Sequence, residues 1–221
     1  PWDVESLEVL ERYDLPGYKG ASAELTNHDL LGAIAATGKP VIVSTGMSTQ
    51  SEIVEAVAVL QRHGASYALL QCNSTYPSPY KDLNLRYLDQ LRRIGGCPVG
   101  YSGHERGWHI PVAAVALGAR IVEKHLTVDR TLEGNDHKVS LLPGEFAQLV
   151  TSIRQLEEAL GTGAARTLSQ GEAMNRTTLA KSLTATRHLA AGTEITASDI
   201  SVKSPGRGLQ PNRRHELIGR V

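Results

Sequence analysis

The chain has 221 residues, 41% of them hydrophobic, which is enough to bury one core and leave material for a smaller second domain. Its 23 Lys and Arg balance 23 Asp and Glu, so no broad basic footprint suggests nucleic acid, although a local anion site is still allowed. No apolar run approaches the roughly 18 residues of a membrane span, and Pro1 to Leu10 is acidic and amphipathic rather than a signal peptide. Cys72 and Cys97 lie apart, without metal-like spacing, and read as buried reduced thiols. The expected compartment is the cytoplasm.

Helical periodicity and short apolar runs alternate to about residue 160. Asp3 can cap a helix reaching about Tyr13, and Tyr18 to Ser22 reads as a strand. Asp29 to Ala36 forms a helix ended by Gly38, and Pro40 to Ser44 is a β-branched strand. Thr49 and Glu52 make a capping box ahead of Ile53, Val57 and Leu60, one apolar helix face. Strand 66–72 follows, then a helix over 83–94 with Leu85, Leu88 and Leu91 facing inward. Strand 98–101, a small-residue helix over 111–117, strand 119–124 and a long amphipathic helix over 143–160 complete the series. That makes five βα units of an α/β parallel sheet, where a closed eight-stranded barrel needs eight.

Residues 161–175 are rich in Gly, Ala, Ser and Gln and read as a linker. Beyond it, Ser182 to Arg187 alternates, Ala191-Gly192-Thr193 turns, and Ile195 and Ile200 flank Asp199. The reading is therefore residues 1–160 as one domain and 176–221 as a smaller one.

The chemistry-bearing residues sit where apolar runs end. Tyr101-Ser102-Gly103-His104-Glu105-Arg106-Gly107 follows one run. Glu123-Lys124-His125-Leu126-Thr127 follows the next and leads to Glu133-Gly134-Asn135-Asp136-His137-Lys138. In a parallel α/β sheet chemistry gathers at the carboxyl ends of the strands, so His104 and His125 can hold one divalent metal with positions open for substrate. Lys19, Ser22 and Glu24 end the first strand, Ser44-Thr45-Gly46-Met47 the second, and Cys72-Asn73-Ser74-Thr75-Tyr76-Pro77 the third. Each has a plainer reading. The histidines could bond backbone, Lys19 could be a surface lysine, and Glu24 a helix N-terminal acid. Ser44 and Ser74 could make turns, Tyr76 pack in a loop, and Asp136 form an Asx turn.

Tyr18-Lys19, Ser44 to Met47, Cys72 to Tyr80, the two histidine segments and Lys203 to Leu209, taken in order, resemble the N-acetylneuraminate (sialic acid) synthase family. Its members condense phosphoenolpyruvate with an N-acetylmannosamine-type sugar. The resemblance implies a partial (β/α)8 TIM barrel, about the last five βα units with three missing upstream, followed by an incomplete antifreeze-like (SAF) domain. It implies manganese at His104 and His125. It implies phosphoenolpyruvate held by Lys19, Ser22, Ser44, Ser74 and Ser102, and the sugar by Tyr76 and Asp136. Lys19 and Glu24 become the catalytic candidates, Glu24 as proton carrier, and the full-length protein a domain-swapped homodimer.

Three positions depart from the family pattern. Gly20 stands where a branched aliphatic is usual, and Gly103 where many relatives carry an aspartate, which makes that acidic group unavailable. Ser204 stands where an arginine reaches the partner's sugar, with Arg207 close by. Ser204 keeps open a legionaminate- or pseudaminate-type acceptor. A non-catalytic carbohydrate-binding barrel and an inactive fragment are the remaining readings.

Overall fold

The computed structural model describes residues 1–221 and divides into two compact units, Pro1–Thr162 and Gly163–Val221. In the first, helices and strands alternate: α1 (Val4–Glu11), β1 (Tyr18–Gly20), α2 (His28–Ala36), β2 (Val41–Ser44), α3 (Gln50–Arg62), β3 (Tyr67–Cys72), α4 (Tyr87–Gly95), β4 (Val99–Gly103), α5 (His109–Ala116), β5 (Ile121–Lys124) and α6 (Pro143–Leu160). The five strands form one parallel sheet in the order β1-β2-β3-β4-β5, the arrangement of part of a TIM-like barrel, with β1 and β5 at its two edges. No helix is long and apolar enough to cross a membrane.

Local chemistry sets the helix ends. Asp3 caps α1 by accepting from the Ser6 amide at 2.5 Å. Thr49 and Glu52 exchange both bonds of a capping box at the start of α3, whose Ile53, Ala56, Val57 and Leu60 are buried along one face. Gly96 ends α4 in the left-handed region at φ +56°. Helix α4 starts at Tyr87 rather than near Leu83, because a 3-10 turn over Tyr80–Asp82 and a positive φ at Asn84 come first. Strand β1 stops at Gly20, since a second 3-10 turn, Ser22–Glu24, begins there.

Strand alternation sorts the sheet into two faces. Tyr18, Val41, Val43, Leu69, Val99 and Tyr101 belong to one face and join Leu31, Ile34, Ile53, Leu60, Leu88 and Leu91 of the helices in a single core. Lys19, Ser44, Cys72, Ser102 and Glu123 belong to the other. The register links them in turn: Lys19 opposite Ile42, Ser44 opposite Leu70, Cys72 opposite Ser102, and Ser102 opposite Glu123.

In the second unit helix α7 (Gln170–Leu179) begins inside the segment read as a linker, 161–175, and runs past its end. It starts at a capping box between Ser169 and Glu172, a Ser-x-x-Glu signature hidden by the small-residue composition around it. Strands β6 (Ser182–Ala185) and β7 (Ile200–Lys203) follow as an antiparallel pair, Ser182 opposite Lys203. The buried Asp199 ties this hairpin together. It accepts from the amide and hydroxyl of Thr196 and pairs with Arg187 at 2.8 Å. These bonds, led by those from Thr196, hold its carboxyl below the ordinary 3.8.

A lowered folded-state value means that ionised Asp199 stabilises above the unfolded value and loses that contribution as pH falls through the folded one. Asp199→Asn should therefore lower the thermal midpoint of the whole chain at pH 7, followed by circular dichroism. The gap to the parent should narrow as pH drops below 3.8. Equal midpoints at neutral pH would contradict the assignment.

Candidate functional site

A cavity of about 430 Å³ opens on the sheet face opposite the helical core, at the carboxyl ends of the strands. Nine of the ten residues singled out from sequence line it: Lys19, Ser22, Ser44, Ser74, Tyr76, Ser102, His104, His125 and Asp136. The tenth, Glu24, does not. The 3-10 turn that follows β1 carries its carboxylate to the amide of Asn27, 2.8 Å away. Glu123 is in the lining instead, because its pairing with Ser102 places both on the cavity face. Its carboxylate accepts from Ser102 Oγ at 3.2 Å and lies 3.4 Å from Lys19 Nζ.

The loop after β2 shows why glycine is needed at position 46. A Cβ there would collide with Ser74 Oγ and lie 2.9 Å from Ser22 Oγ and 3.1 Å from Cys72 Sγ. Gly46 therefore lets Ser22 from the turn after β1 converge with Cys72 and Ser74 at the end of β3, and its own amide donates to Ser22 Oγ at 3.1 Å. Ser44, only 2% exposed, lies beside them with a hydroxyl that has no hydrogen-bond partner. A buried polar atom left unmatched in a cavity wall is a group poised for a ligand.

The histidines are oriented by their neighbours. His104 Nδ1 lies 2.7 Å from the Asn73 carbonyl, which can only accept, so this nitrogen carries the proton. Nε2 then faces Tyr76 Oη at 3.0 Å. Cys72 Sγ approaches Nδ1 at 3.7 Å. Burial pushes the Cys72 thiol up, but the bonds to His104 and Ser22 outweigh it and bring it below its ordinary value. Burial pulls His104 down, while Cys72 and the Asn73 carbonyl more than offset it. His125 is held below the usual histidine value, first by burial, with Asp136 opposing from 3.7 Å. The two imidazole centroids are 5.1 Å apart, and Tyr76 stacks 4.2 Å from His104.

His125 is held from behind by the next loop. Leu141 donates its amide to the His125 carbonyl at 2.8 Å, and Thr127 donates to Leu141 at 2.9 Å. The same loop carries Asp136 at the start of a 3-10 turn (Asp136–Lys138). His137, given no role from sequence, bonds Thr127 Oγ1 at 2.7 Å and pins that turn.

No group of three or more His, Cys, Asp or Glu is arranged to hold a metal ion, so an ion at this site would have His104 and His125 as its protein ligands. The fit is nevertheless good. The Asn73 carbonyl fixes the His104 tautomer whose lone pair is on Nε2, where Tyr76 Oη would have to give way to an ion, and burial favours neutral His125, the form that ligates. Two ligands leave positions for substrate oxygens and water.

The NeuB family profile matches residues 1–165 and the SAF domain profile residues 180–221. The N,N'-diacetyllegionaminic acid synthase of Campylobacter jejuni is 39% identical over 224 residues, covering 100% of this chain and 67% of its own. The N-acetylneuraminate-9-phosphate synthase of Homo sapiens is 36% identical over 220 residues, covering 99% and 61%. The crystal structure of a sialic acid synthetase from Leptospira borgpetersenii, in complex with citrate, superimposes with a TM-score of 0.73 at 40% identity. It covers 81% of this chain and 64% of that one. The chain thus spans between 61% and 67% of the length of these three proteins.

Two substitutions separate ligand-directed groups from structural ones. Ser44→Ala removes an unmatched hydroxyl and should leave stability unchanged or slightly raised. Gly46→Ala forces a methyl into the converging side chains and should cost about 1–3 kcal/mol. Urea denaturation of both variants measures this; the reverse order would contradict the cavity geometry.

Proposed function

Because the chain belongs to the NeuB family and carries a SAF domain at residues 180–221, we propose that its cavity condenses phosphoenolpyruvate with an N-acetylated amino sugar of the N-acetylmannosamine type. The product is a sialic-acid-type nonulosonate, with release of phosphate. One observation carries the reading: nine residues chosen for this chemistry, spread from Lys19 to Asp136, line one cavity.

Lys19 supplies a cation, and Ser22, Ser44, Ser74 and Ser102 supply hydroxyls for the phosphate and carboxylate of phosphoenolpyruvate. Asp136 and Tyr76 face the acceptor, the carboxylate taking hydrogen bonds from sugar hydroxyls. A divalent ion, taken as Mn2+, held by His104 and His125 would supply Lewis-acid polarisation of the acceptor aldehyde. The enol carbon bonds to the aldehyde carbon, and the aldehyde oxygen takes a proton. Water then adds at the phosphate-bearing carbon and phosphate leaves, giving the keto acid. Glu123 is the carboxylate placed to accept the proton of that water, being in the lining and bonded to Ser102. Glu24, turned toward Asn27, is assigned no proton transfer.

A variation in the acceptor is favoured by one feature. Ser204 stands where the resembled family places a sugar-binding arginine, and it accepts from Lys181 within the second unit at 2.8 Å. A legionaminate- or pseudaminate-type amino sugar is therefore the second acceptor to try. The enzyme is proposed to work in the cytoplasm as a homodimer.

The test is phosphate release from phosphoenolpyruvate plus N-acetylmannosamine by the full-length protein, with Mn2+ and with chelator, then with other N-acetylated amino sugars. Metal-dependent release with at least one acceptor, abolished by His125→Ala, is expected. Release that persists in chelator, or none with any acceptor, contradicts the proposal.

A further inference from the structure

Gly103 leaves space for a carboxylate that comes from elsewhere. A Cβ at position 103 would lie 2.7 and 2.8 Å from the two Glu105 carboxylate oxygens and 2.8 Å from the Tyr101 ring. The space that a side chain at position 103 would take is thus filled by the Glu105 carboxylate and the Tyr101 ring. Glu105 is 0% exposed. Its carboxylate accepts from Tyr101 Oη at 2.7 Å and pairs with Lys124 Nζ at 3.0 Å, with both side chains of the pair fully buried. Lys124 also donates to the Glu105 carbonyl.

The position of this pair matters more than its strength. Gly103 is opposite Lys124 in the β4–β5 register, and the bridge ties the residue just after His104 to the residue just before His125. Alternation puts 103, 105 and 124 on the face away from the cavity, and none of them lines it. Removing two charges from water is expensive, and an apolar contact would hold the strands as well. A charged, directional bridge fixes both strand ends in one geometry.

We propose that Glu105 and Lys124 are positioning residues that set the separation and aim of His104 and His125, with Gly103 and Glu105 acting as one coupled unit. The inference rests on the metal reading above. The aim of a ligand is set by its supports, so their loss weakens metal affinity rather than stability alone.

The experiment is Mn2+ binding by electron paramagnetic resonance, reading the free-ion signal, alongside the thermal midpoint. The parent is compared with Glu105→Gln, Lys124→Met, their double variant, and a swap carrying Gly103→Asp with Glu105→Ala. Each single variant should weaken Mn2+ binding by about 10-fold or more. The double should weaken it no further than the worse single, because the two act as one unit. The swap returns a carboxylate to the same space and should bind Mn2+ more tightly than Glu105→Gln, close to the parent, because the two positions are coupled. Folded single variants that lose stability but keep parental Mn2+ affinity overturn the proposal. So does a folded swap with weakened affinity, which decides the matter if the singles do not fold. A parent that binds no Mn2+ overturns the metal reading and this inference with it, and it is recognised in the parent alone.

Discussion

The site depends on the register of a parallel sheet. Because Cys72 pairs with Ser102 and Ser102 with Glu123, the side chains that follow, Ser74, His104 and His125, leave their strands at one level and on one side. Period-two alternation then commits every second residue to the cavity and its neighbours to the core. A slip of one residue in β4 would turn Ser102 and His104 toward the helices and bring Tyr101 and Glu105 into the cavity. The apolar residues that resist this slip are Val99 and Tyr101, each 1% exposed in the helical core. Packing on one face thus fixes chemistry on the other.

The cavity combines one lysine, two imidazoles and four serine hydroxyls with two carboxylates, Glu123 and Asp136. Few of these groups satisfy one another. Ser44 has no partner, Asp136 meets His125 only at 3.7 Å, and Lys19 and Glu123 stay partly exposed at 3.4 Å. Behind the cavity the pattern reverses. Glu105, Lys124 and Tyr101 are fully engaged and dry, and removing one partner from such a buried pair costs about 3–5 kcal/mol. A satisfied bridge behind unsatisfied groups suits a site whose missing partners are a ligand's oxygens.

Much of this was legible in the sequence because the signals were local. The capping box at Thr49 and Glu52, the apolar runs and the polar turn after each run depend on neighbouring residues alone, and the helices and strands fall near their expected bounds. What could not be read was phase and distance. Strand β5 is four residues long, too short to show which face Glu123 takes until its register with β4 is known. Glu24 missed the cavity because β1 ends two residues before Ser22 and a tight turn rotates the carboxylate away. Glu105 taking the space above Gly103, nineteen residues before its partner Lys124, is a tertiary fact with no local signature. Helix α7 is different: Ser169 and Glu172 announced it, and composition hid it.

The central claim is that the carboxyl ends of these strands hold phosphoenolpyruvate through Lys19 and the serine cluster. Isothermal titration calorimetry of phosphoenolpyruvate against the parent and Lys19→Met measures it without any turnover. The account predicts one site in the parent, weakened about 10-fold or more in the variant, the scale of a lost charge-assisted hydrogen bond. Binding of equal strength in both, or no binding in the parent, would contradict it.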